Sequence, residues 1–255
     1  MTDLEKLAEI ADEAARCATA IPQFSQTRAL SVTEGYAIQT LSMNRRYARG
    51  DRRVGIKMGF TSRAKQLQMG LDDLIWGRIT ETMRIPEGGS VSMQRYVHPR
   101  VEPEIAYLIQ HPLEGNVSAL EAINAVAGVA PAMEIIDSRF ADFKFDVGDV
   151  VADNTSAAGF LLGGWHAPDT DVANLGLVLT INGRPRQIGS TAAILGNPAR
   201  ALVAAIRMAA SAGEALVPGD IVLAGAATAA VELAIGDHVE TQFEMLGTIG
   251  FNITA

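Results

Sequence analysis

The sequence predicts an α+β fold, in which a helical N-terminal region precedes a mixed β-sandwich roll. Apolar residues recur at helical spacing over about the first 50 residues, whereas short β-type runs dominate from residue 54 onward. These runs do not alternate regularly with helices, which argues against a doubly wound parallel sheet. We therefore divide the chain into a helical region at residues 1–52 and a β-roll domain at residues 53–255.

Two helices are predicted in the N-terminal region. Thr2 caps the first, apolar residues follow at helical spacing, and Pro22 ends it. Ser31 opens the second helix as a capping box with Glu34, and Gly50 closes it. Both helices precede the first run of strand type, so the region is expected to be helical apart from the turn between them.

The rest of the chain is predicted to be mainly strands, with two helices between them. A capping box at Ser118 predicts a helix whose apolar positions include Val126 and Val129. Asn197 and Pro198 provide the cap and first turn of the other helix. The predicted strands are residues 54–60, 101–109, 132–136, 159–163, 175–181, 221–224, 239–243 and 248–253.

Composition and charge exclude several classes of protein. The 255 residues are 48% hydrophobic and carry a net charge of -8, without a basic stripe that could neutralise nucleic-acid phosphates. Cys17 is the single cysteine, so an intramolecular disulfide is excluded. No apolar run approaches the roughly 20 residues of a membrane helix, and no signal peptide is recognisable. We therefore expect a cytoplasmic protein without a nucleic-acid or membrane partner.

Three glutamates within apolar runs are the strongest candidates for a functional site. Glu102 and Glu104 lie two residues apart in one predicted strand and so project from the same face, and Glu134 lies in another apolar run. Because unpaired buried carboxylates are costly, we expect a hard cation, Mg²⁺ or Mn²⁺, between them. The alternative is a half-exposed strand with its glutamates in water, and Pro103 indicates an edge or bulged strand.

Lys57 is the second candidate, because Gly55 and Gly59 flank it on the same strand face and predict open space around its ammonium. The alternative is a surface lysine on an edge strand. A polar cluster extends from Asp153 to Ser156, and it is either part of a substrate site or a turn. Three further cations could meet an anionic substrate or be solvated: Arg63, Arg139 and Lys144.

Together, these segments resemble the fumarylacetoacetate-hydrolase superfamily, in its hydratase/decarboxylase branch. The segments are residues 55–62, 100–106, 131–139, 152–156 and 218–225, and the resemblance runs from about residue 54 to the C-terminus. It implies a mixed β roll, a homo-oligomer, and Mg²⁺ or Mn²⁺ on Glu102, Glu104 and Glu134 without an organic cofactor. It also implies that Lys57 is the catalytic lysine.

Within this branch the sequence favours a decarboxylase. Related hydratases carry Asp-Phe-Gly where this chain has Ile75, Trp76 and Gly77. Adding water across a double bond needs a proton-transfer group, and Ile75 cannot act as one. The resemblance therefore implies decarboxylation of 2-oxo-3-hexenedioate to 2-hydroxypenta-2,4-dienoate and CO₂, in the meta-cleavage degradation of aromatic compounds. It also implies a possible complex with a partner hydratase.

The residues expected to bind the small 2-oxo dicarboxylate substrate are Gly59, Thr61, Ile75, Trp76, Arg139, Asp153 and Ser156. Three alternatives stay open at this point. One is hydration of 2-hydroxypenta-2,4-dienoate at the same site, and another is hydrolytic cleavage of a C–C bond by a related metal-dependent enzyme. The third is a binding module in which a structural ion, or ion pairs alone, hold the glutamates.

Overall fold

The computed structural model describes residues 2–62 and 74–255, and Arg63 lies outside them. The α-helices of the described residues are α1 Asp3–Cys17, α2 Val32–Ala48, α3 Ala119–Asn124, α4 Val147–Ala152 and α5 Pro198–Ser211. The first strands are β1 Arg53–Gly59, β2 Ile75–Thr80, β3 Ser90–Ser92, β4 Arg100–Ile109, β5 Val126–Ile136 and β6 Ala157–Leu162. The others are β7 Gly176–Ile181, β8 Arg184–Ser190, β9 Ile221–Leu223, β10 Val231–Glu232, β11 His238–Phe243 and β12 Gly247–Thr254.

The strands form two packed sheets, which confirms the predicted mixed β roll with an N-terminal helical region. The larger sheet has the order β2-β1-β9-β4-β5-β6, and β10 also pairs with β4. The smaller sheet has the order β3-β12-β11-β7-β8. Apolar side chains from both sheets meet in one core, which includes Met58 and Ile105 of the larger sheet and Leu179 and Phe251 of the smaller one. Strand alternation then turns the neighbours of Met58 and Ile105 to the opposite face of the larger sheet.

That opposite face is the inner side of a curled sheet, because β6 returns to contact β2. Small and aromatic residues fill part of it, among them Ala106, Ala132 and Phe160. Glu104 and Glu134 each lie two residues from one of those alanines, on the same strand face. The curl therefore brings polar side chains of β4 and β5 into the interior of the roll.

The N-terminal helices pack directly against the β roll. Thr2 and Ser31 each form a capping box at the start of α1 and α2, as the sequence indicated for Ser31. Gln39 of α2 is fully buried, and its side-chain amide donates to the carbonyls of Trp76 at 3.1 Å and Val151 at 2.9 Å. One residue of α2 thus connects β2 to α4.

Two sequence-based expectations about individual elements are wrong. The helix at Ser118 ends at Asn124, and Val126 and Val129 belong to β5, where strand pairing with β4 overrides their helical spacing. Pro103 lies in an interior strand and not at an edge, because β4 has neighbours on both sides. Its carbonyl accepts from Ala227 N at 2.8 Å, so its missing N–H faces the segment after β9 and costs β5 no hydrogen bond.

Within the described residues, no helix has the length and apolar character that crossing a membrane requires.

Candidate metal centre and substrate cavity

Three glutamates meet on the inner face of the larger sheet. Glu102 of β4 stands directly opposite Glu134 of β5 in the antiparallel register, and Glu104 follows two residues later on the same face. One carboxylate oxygen of each residue lies within 4.8 Å of those of the other two. This arrangement follows from the strand pairing, since directly opposed residues and their i+2 neighbours share one face of a sheet.

The three carboxylates are buried, which makes the solvated-strand interpretation wrong. Glu102 is 7% exposed, and Glu104 and Glu134 are 0% exposed. One oxygen of Glu104 accepts from the main-chain N–H of Gly225 at 2.7 Å, while its Oε1 and the Oε1 of Glu134 have no hydrogen-bond donor among the described residues. Buried carboxylate oxygens without donors among the described residues, on Glu104 and Glu134, lie within 4.8 Å of a carboxylate oxygen of Glu102 and fit a divalent cation with oxygen ligands.

Lys57 of β1 is the counter-charge that the described residues provide. Its Nζ lies 2.9 Å from Oε2 of Glu134 and donates to the main-chain carbonyl of Thr155 at 3.1 Å. The contact with Glu134 is an ion pair by distance. It is not a well-aligned hydrogen bond, since Oε2 of Glu134 has no hydrogen-bond donor among the described residues. Lys57 is 3% exposed and β1 has neighbours on both sides, so the surface-lysine interpretation is wrong.

The charges that the described residues bring to this site do not balance without a further cation. Three carboxylates face one ammonium, which leaves an excess of two negative charges when all four groups are ionised. Burial, together with the other carboxylates, raises the pKa of Glu134 to about 7 and holds the pKa of Glu104 well above its usual range. The metal-free site therefore retains protons that a divalent cation would displace.

This competition predicts that Mg²⁺ stabilises the protein more at pH 8 than at pH 5.5. A carboxyl whose pKa is higher in the folded state contributes stability at low pH and loses it as the pH rises through the folded pKa, here about 7 for Glu134. The melting temperature of the metal-free protein should thus fall between pH 5.5 and pH 8, and 5 mM MgCl₂ should restore it only at the higher pH. Scanning calorimetry with NaCl at matched ionic strength measures both effects, and equal Mg²⁺ shifts at the two pH values contradict the prediction.

A cavity of about 490 Å³ opens beside Lys57 and Glu102, and its size is typical of a small-molecule site. Of the residues that the sequence assigned to the substrate, four line this cavity: Gly59, Thr61, Ile75 and Ser156. Gly59 does not provide open space, however, because a Cβ there would lie 2.8 Å from Thr155 Cγ2 and 2.9 Å from Ile75 Cγ1. The missing side chain of Gly59 instead lets Thr155 and Ile75 pack closely against β1.

Trp76, Arg139 and Asp153 lie outside this cavity, and their contact with substrate stays a prediction. Trp76 follows Ile75 in β2, so its side chain faces the other side of the sheet, where it stacks on Tyr36 with ring centroids 5.7 Å apart. Arg139 is buried against Asp153, with Nε 2.6 Å from Oδ1. The two charges thus compensate each other in a buried ion pair.

Sequence reasoning did not assign several residues of this region, among them Phe143, Phe145, Gly225 and Thr155. Phe143 and Phe145 line the cavity, and the sequence did not assign them to it. Gly225 orients Glu104 through its main-chain N–H and has a φ of 106°, which a glycine directly after a strand could have indicated. Thr155 contacts Lys57 through its main-chain carbonyl, and a contact of this kind cannot be predicted from the residue type.

Known proteins share this architecture. The family model described as fumarylacetoacetate (FAA) hydrolase C-terminal matches residues 52–254. A 4-oxalocrotonate decarboxylase of a Pseudomonas species is 55% identical over 251 residues, which cover 98% of both proteins. A 2-hydroxyhexa-2,4-dienoate hydratase of Comamonas testosteroni is 31% identical over 230 residues, which cover 88% of this chain and 87% of the hydratase.

A solved structure has the same fold as this chain. The 4-oxalocrotonate decarboxylase from Pseudomonas putida G7, complexed with magnesium and adipate, superimposes with a TM-score of 0.95 at 33% identity. The match covers 99% of this chain and 98% of that one. The fold of the chain, including its helical region, is therefore that of this structure.

Proposed function

Because the chain belongs to the fumarylacetoacetate hydrolase family, we propose that it is a metal-dependent decarboxylase acting on 2-oxo-3-hexenedioate. The products are 2-hydroxypenta-2,4-dienoate and CO₂, in the meta-cleavage degradation of aromatic compounds. The identity of 55% to a decarboxylase, against 31% to a hydratase, supports this choice within the family. Adipate, the ligand of the similar solved structure, is a six-carbon dicarboxylate like the proposed substrate.

Glu102, Glu104 and Glu134 hold Mg²⁺ or Mn²⁺ in this proposal. The bound cation supplies Lewis-acid stabilisation of negative charge that develops on the 2-oxo oxygen of the substrate. The buried carboxylate oxygens without donors on Glu104 and Glu134 support these ligands. No organic cofactor is required, because the 2-oxo group conjugated with the C3=C4 bond accepts the electron pair of the breaking C5–C6 bond. Protonation of the C2 oxygen then gives the dienol.

Lys57 places a fixed positive donor beside the reacting oxygen. An ammonium has three N–H groups, and Thr155 and Glu134 engage at most two of them among the described residues. Lys57 lines the cavity, so the remaining N–H can donate to the C2 oxygen as its charge increases. Such a preorganised donor stabilises the transition state more than the ground state, which is the condition for raising kcat.

The observation that carries the choice of decarboxylation is the apolar wall around Ile75. Ile75 is 1% exposed, lines the cavity and packs with Val150. Its pairing partner Gly59 is two residues along β1 from Lys57, a distance of roughly 7 Å in a strand. A substrate held by its C1 and C2 oxygens near Lys57 would extend its C6 carboxylate toward this wall. Poor solvation there disfavours the charged carboxylate and favours neutral CO₂.

Ile75→Val and Ile75→Thr form a matched pair that tests this wall, because the two side chains have nearly the same shape and differ by a hydroxyl. We expect Ile75→Val to keep kcat within about threefold. Ile75→Thr should lower kcat by about tenfold to a hundredfold, since a hydrogen bond to a charged group contributes about 1.5–3 kcal/mol to the ground state. Steady-state CO₂ release measures kcat, and melting temperatures check both folds. Equal kcat values for the two variants contradict a role for desolvation.

One assay decides the overall reaction. Purified protein incubated with 2-oxo-3-hexenedioate and Mg²⁺ should release one CO₂ for each dienol formed, and a chelator should stop both. Incubation with 2-hydroxypenta-2,4-dienoate tests the hydratase alternative through formation of 4-hydroxy-2-oxopentanoate. The proposal is wrong if only the hydration product appears. A change in melting temperature on chelation, without turnover of either compound, instead identifies a binding module with a structural ion.

The cellular setting is also part of the proposal. We place the enzyme in the cytoplasm as a homo-oligomer able to associate with a partner hydratase, on the basis of the family resemblance. The second helix, α2, ends at Ala48 and β1 begins at Arg53, which supports a helical region at residues 1–52 and a catalytic domain at residues 53–255. Light scattering with and without the hydratase tests the assembly.

A further inference from the structure

We propose that Thr155 is a positioning residue for Lys57: its main-chain carbonyl fixes the ammonium, and its side-chain hydroxyl fixes that carbonyl against β2. This inference rests on the proposed role of Lys57 in decarboxylation. The carbonyl of Thr155 accepts from Nζ of Lys57 at 3.1 Å, and its Oγ1 donates to the carbonyl of Trp76 at 2.7 Å. Thr155 is 4% exposed, so the protein shields most of its surface from water.

The backbone around Thr155 is in an unusual conformation. Asn154, Thr155 and Ser156 are consecutive non-glycine residues with φ values of 50°, 52° and 57°. The left-handed region is unfavourable for an ordinary L-residue, and a β-branched residue such as Thr155 is a particular outlier there. Such a turn persists only where surrounding contacts hold it, and residues of this kind concentrate at functional sites.

The side-chain hydrogen bonds of Asn154 and Thr155 end on β2. The side chain of Asn154 makes two hydrogen bonds with the main chain of Arg78: Oδ1 accepts from its N–H at 2.8 Å, and Nδ2 donates to its carbonyl at 2.8 Å. The hydroxyl of Thr155 adds the bond to Trp76. Because β2 is the last strand of its sheet, these side chains take the place of a neighbouring strand at its free edge.

The position of the ammonium depends on this carbonyl. Lysine has a long flexible stem, and three carboxylates attract its charge from one side of the site. The carbonyl of Thr155 is a neutral acceptor that holds the ammonium without adding negative charge to that cluster. Without the hydroxyl bond to Trp76, we expect the turn to relax, the carbonyl to move and Lys57 to shift toward the glutamates. A displacement near 1 Å can cost about a hundredfold in rate.

Thr155→Val and Thr155→Ser test this inference as a matched pair. Valine keeps the shape and the β-branch but removes the hydroxyl, whereas serine keeps the hydroxyl. We expect Thr155→Val to lower kcat for CO₂ release by about tenfold to a hundredfold with KM changed less than threefold, and Thr155→Ser to restore kcat to within about threefold of the wild type. A purely structural role would instead lower the melting temperature of Thr155→Val and leave kcat of the folded fraction unchanged, which would overturn the inference. Equal losses in both variants also overturn it.

A second readout works without turnover and separates this inference from the proposed function. Acetic anhydride labels amines, and mass spectrometry of peptides gives the labelling rate of Lys57 relative to the exposed Lys6 in the metal-free protein. We expect severalfold faster labelling of Lys57 in Thr155→Val than in the wild type or Thr155→Ser. Equal rates overturn the positioning role, whatever the activity. If the wild type releases no CO₂ but Lys57 is still labelled faster in Thr155→Val than in the wild type and Thr155→Ser, the proposed function is wrong and the positioning role of Thr155 stands.

Discussion

Replacing Glu104 by glutamine lowers kcat by at least about a hundredfold and weakens Mg²⁺ binding by a similar factor. The two oxygens of Glu104 have different partners: one accepts from Gly225 N–H at 2.7 Å, and Oε1 has no donor among the described residues. A glutamine has a single oxygen, so its NH₂ group would face either the N–H of Gly225 or the cation. Either orientation removes an anionic ligand or creates a donor–donor contact in a buried site. Isothermal titration with Mg²⁺ and CO₂ release at saturating Mg²⁺ measure the two effects.

The same substitution should stabilise the metal-free protein. Burial and the neighbouring carboxylates make the charged form of Glu104 unfavourable, as its raised pKa shows, and glutamine removes that charge. We therefore expect a higher melting temperature at pH 8 without metal and almost no further increase with Mg²⁺. Glu87→Gln, at an exposed position, is the control and should match the wild type in every measurement. Near-normal turnover of Glu104→Gln at saturating Mg²⁺ would falsify the assignment of this carboxylate.

Lys57→Met is expected to show the opposite combination of effects. Loss of the ammonium removes the donor beside the reacting oxygen, so kcat should fall by about a hundredfold or more, in the range found when a single preorganised donor is removed. The metal-free protein should become less stable at pH 8, because Lys57 is the counter-charge that lies 2.9 Å from Glu134. Mg²⁺ should bind at least as tightly as in the wild type, because the ammonium of Lys57 no longer competes for the carboxylates. Its binding should restore much of the lost stability.

The control for Lys57→Met is Lys6→Met, which removes a lysine from the exposed face of α1. Activity, Mg²⁺ titration and melting temperature should all remain at wild-type values in the control. If Lys57→Met loses Mg²⁺ binding together with activity, the lysine acts by holding the metal site together and not as a donor to substrate. Unchanged kcat in Lys57→Met removes it from the reaction altogether.

The sequence predicted the glutamate face because a strand has a period of two. That rule places Glu102 and Glu104 on one side of β4 whatever the rest of the fold does. The register that sets Glu102 opposite Glu134 depends on how two distant segments pair, which no local pattern specifies. The same rule should have separated Ile75 from Trp76, because adjacent residues of one strand cannot both face one cavity.

Other parts of the site could not be predicted from residue types. The contact of Thr155 with Lys57 uses a main-chain carbonyl in a left-handed turn, and a main-chain atom has no sequence signature. Arg139 and Asp153 each looked suitable for a substrate, and only the fold shows that they neutralise each other. Pro103 indicated a strand edge, yet its missing N–H coincides with a gap between the two partners of β4, β9 and β10.

The buried amide of Gln39 bears on whether the enzyme is modular. It bonds to the carbonyls of Trp76 and Val151 and accepts from Arg78 Nη1 at 2.6 Å, so the helical region completes the hydrogen bonding of the strand and helix beside the cavity. A fragment that began at residue 53 would leave buried polar groups of β2 and α4 without the hydrogen-bond partner that Gln39 provides. The boundary between helices and strands is thus a change of secondary structure and not a place where the chain can be cut, because the helical region packs behind β2 and α4, whose residues Ile75 and Val150 line the cavity.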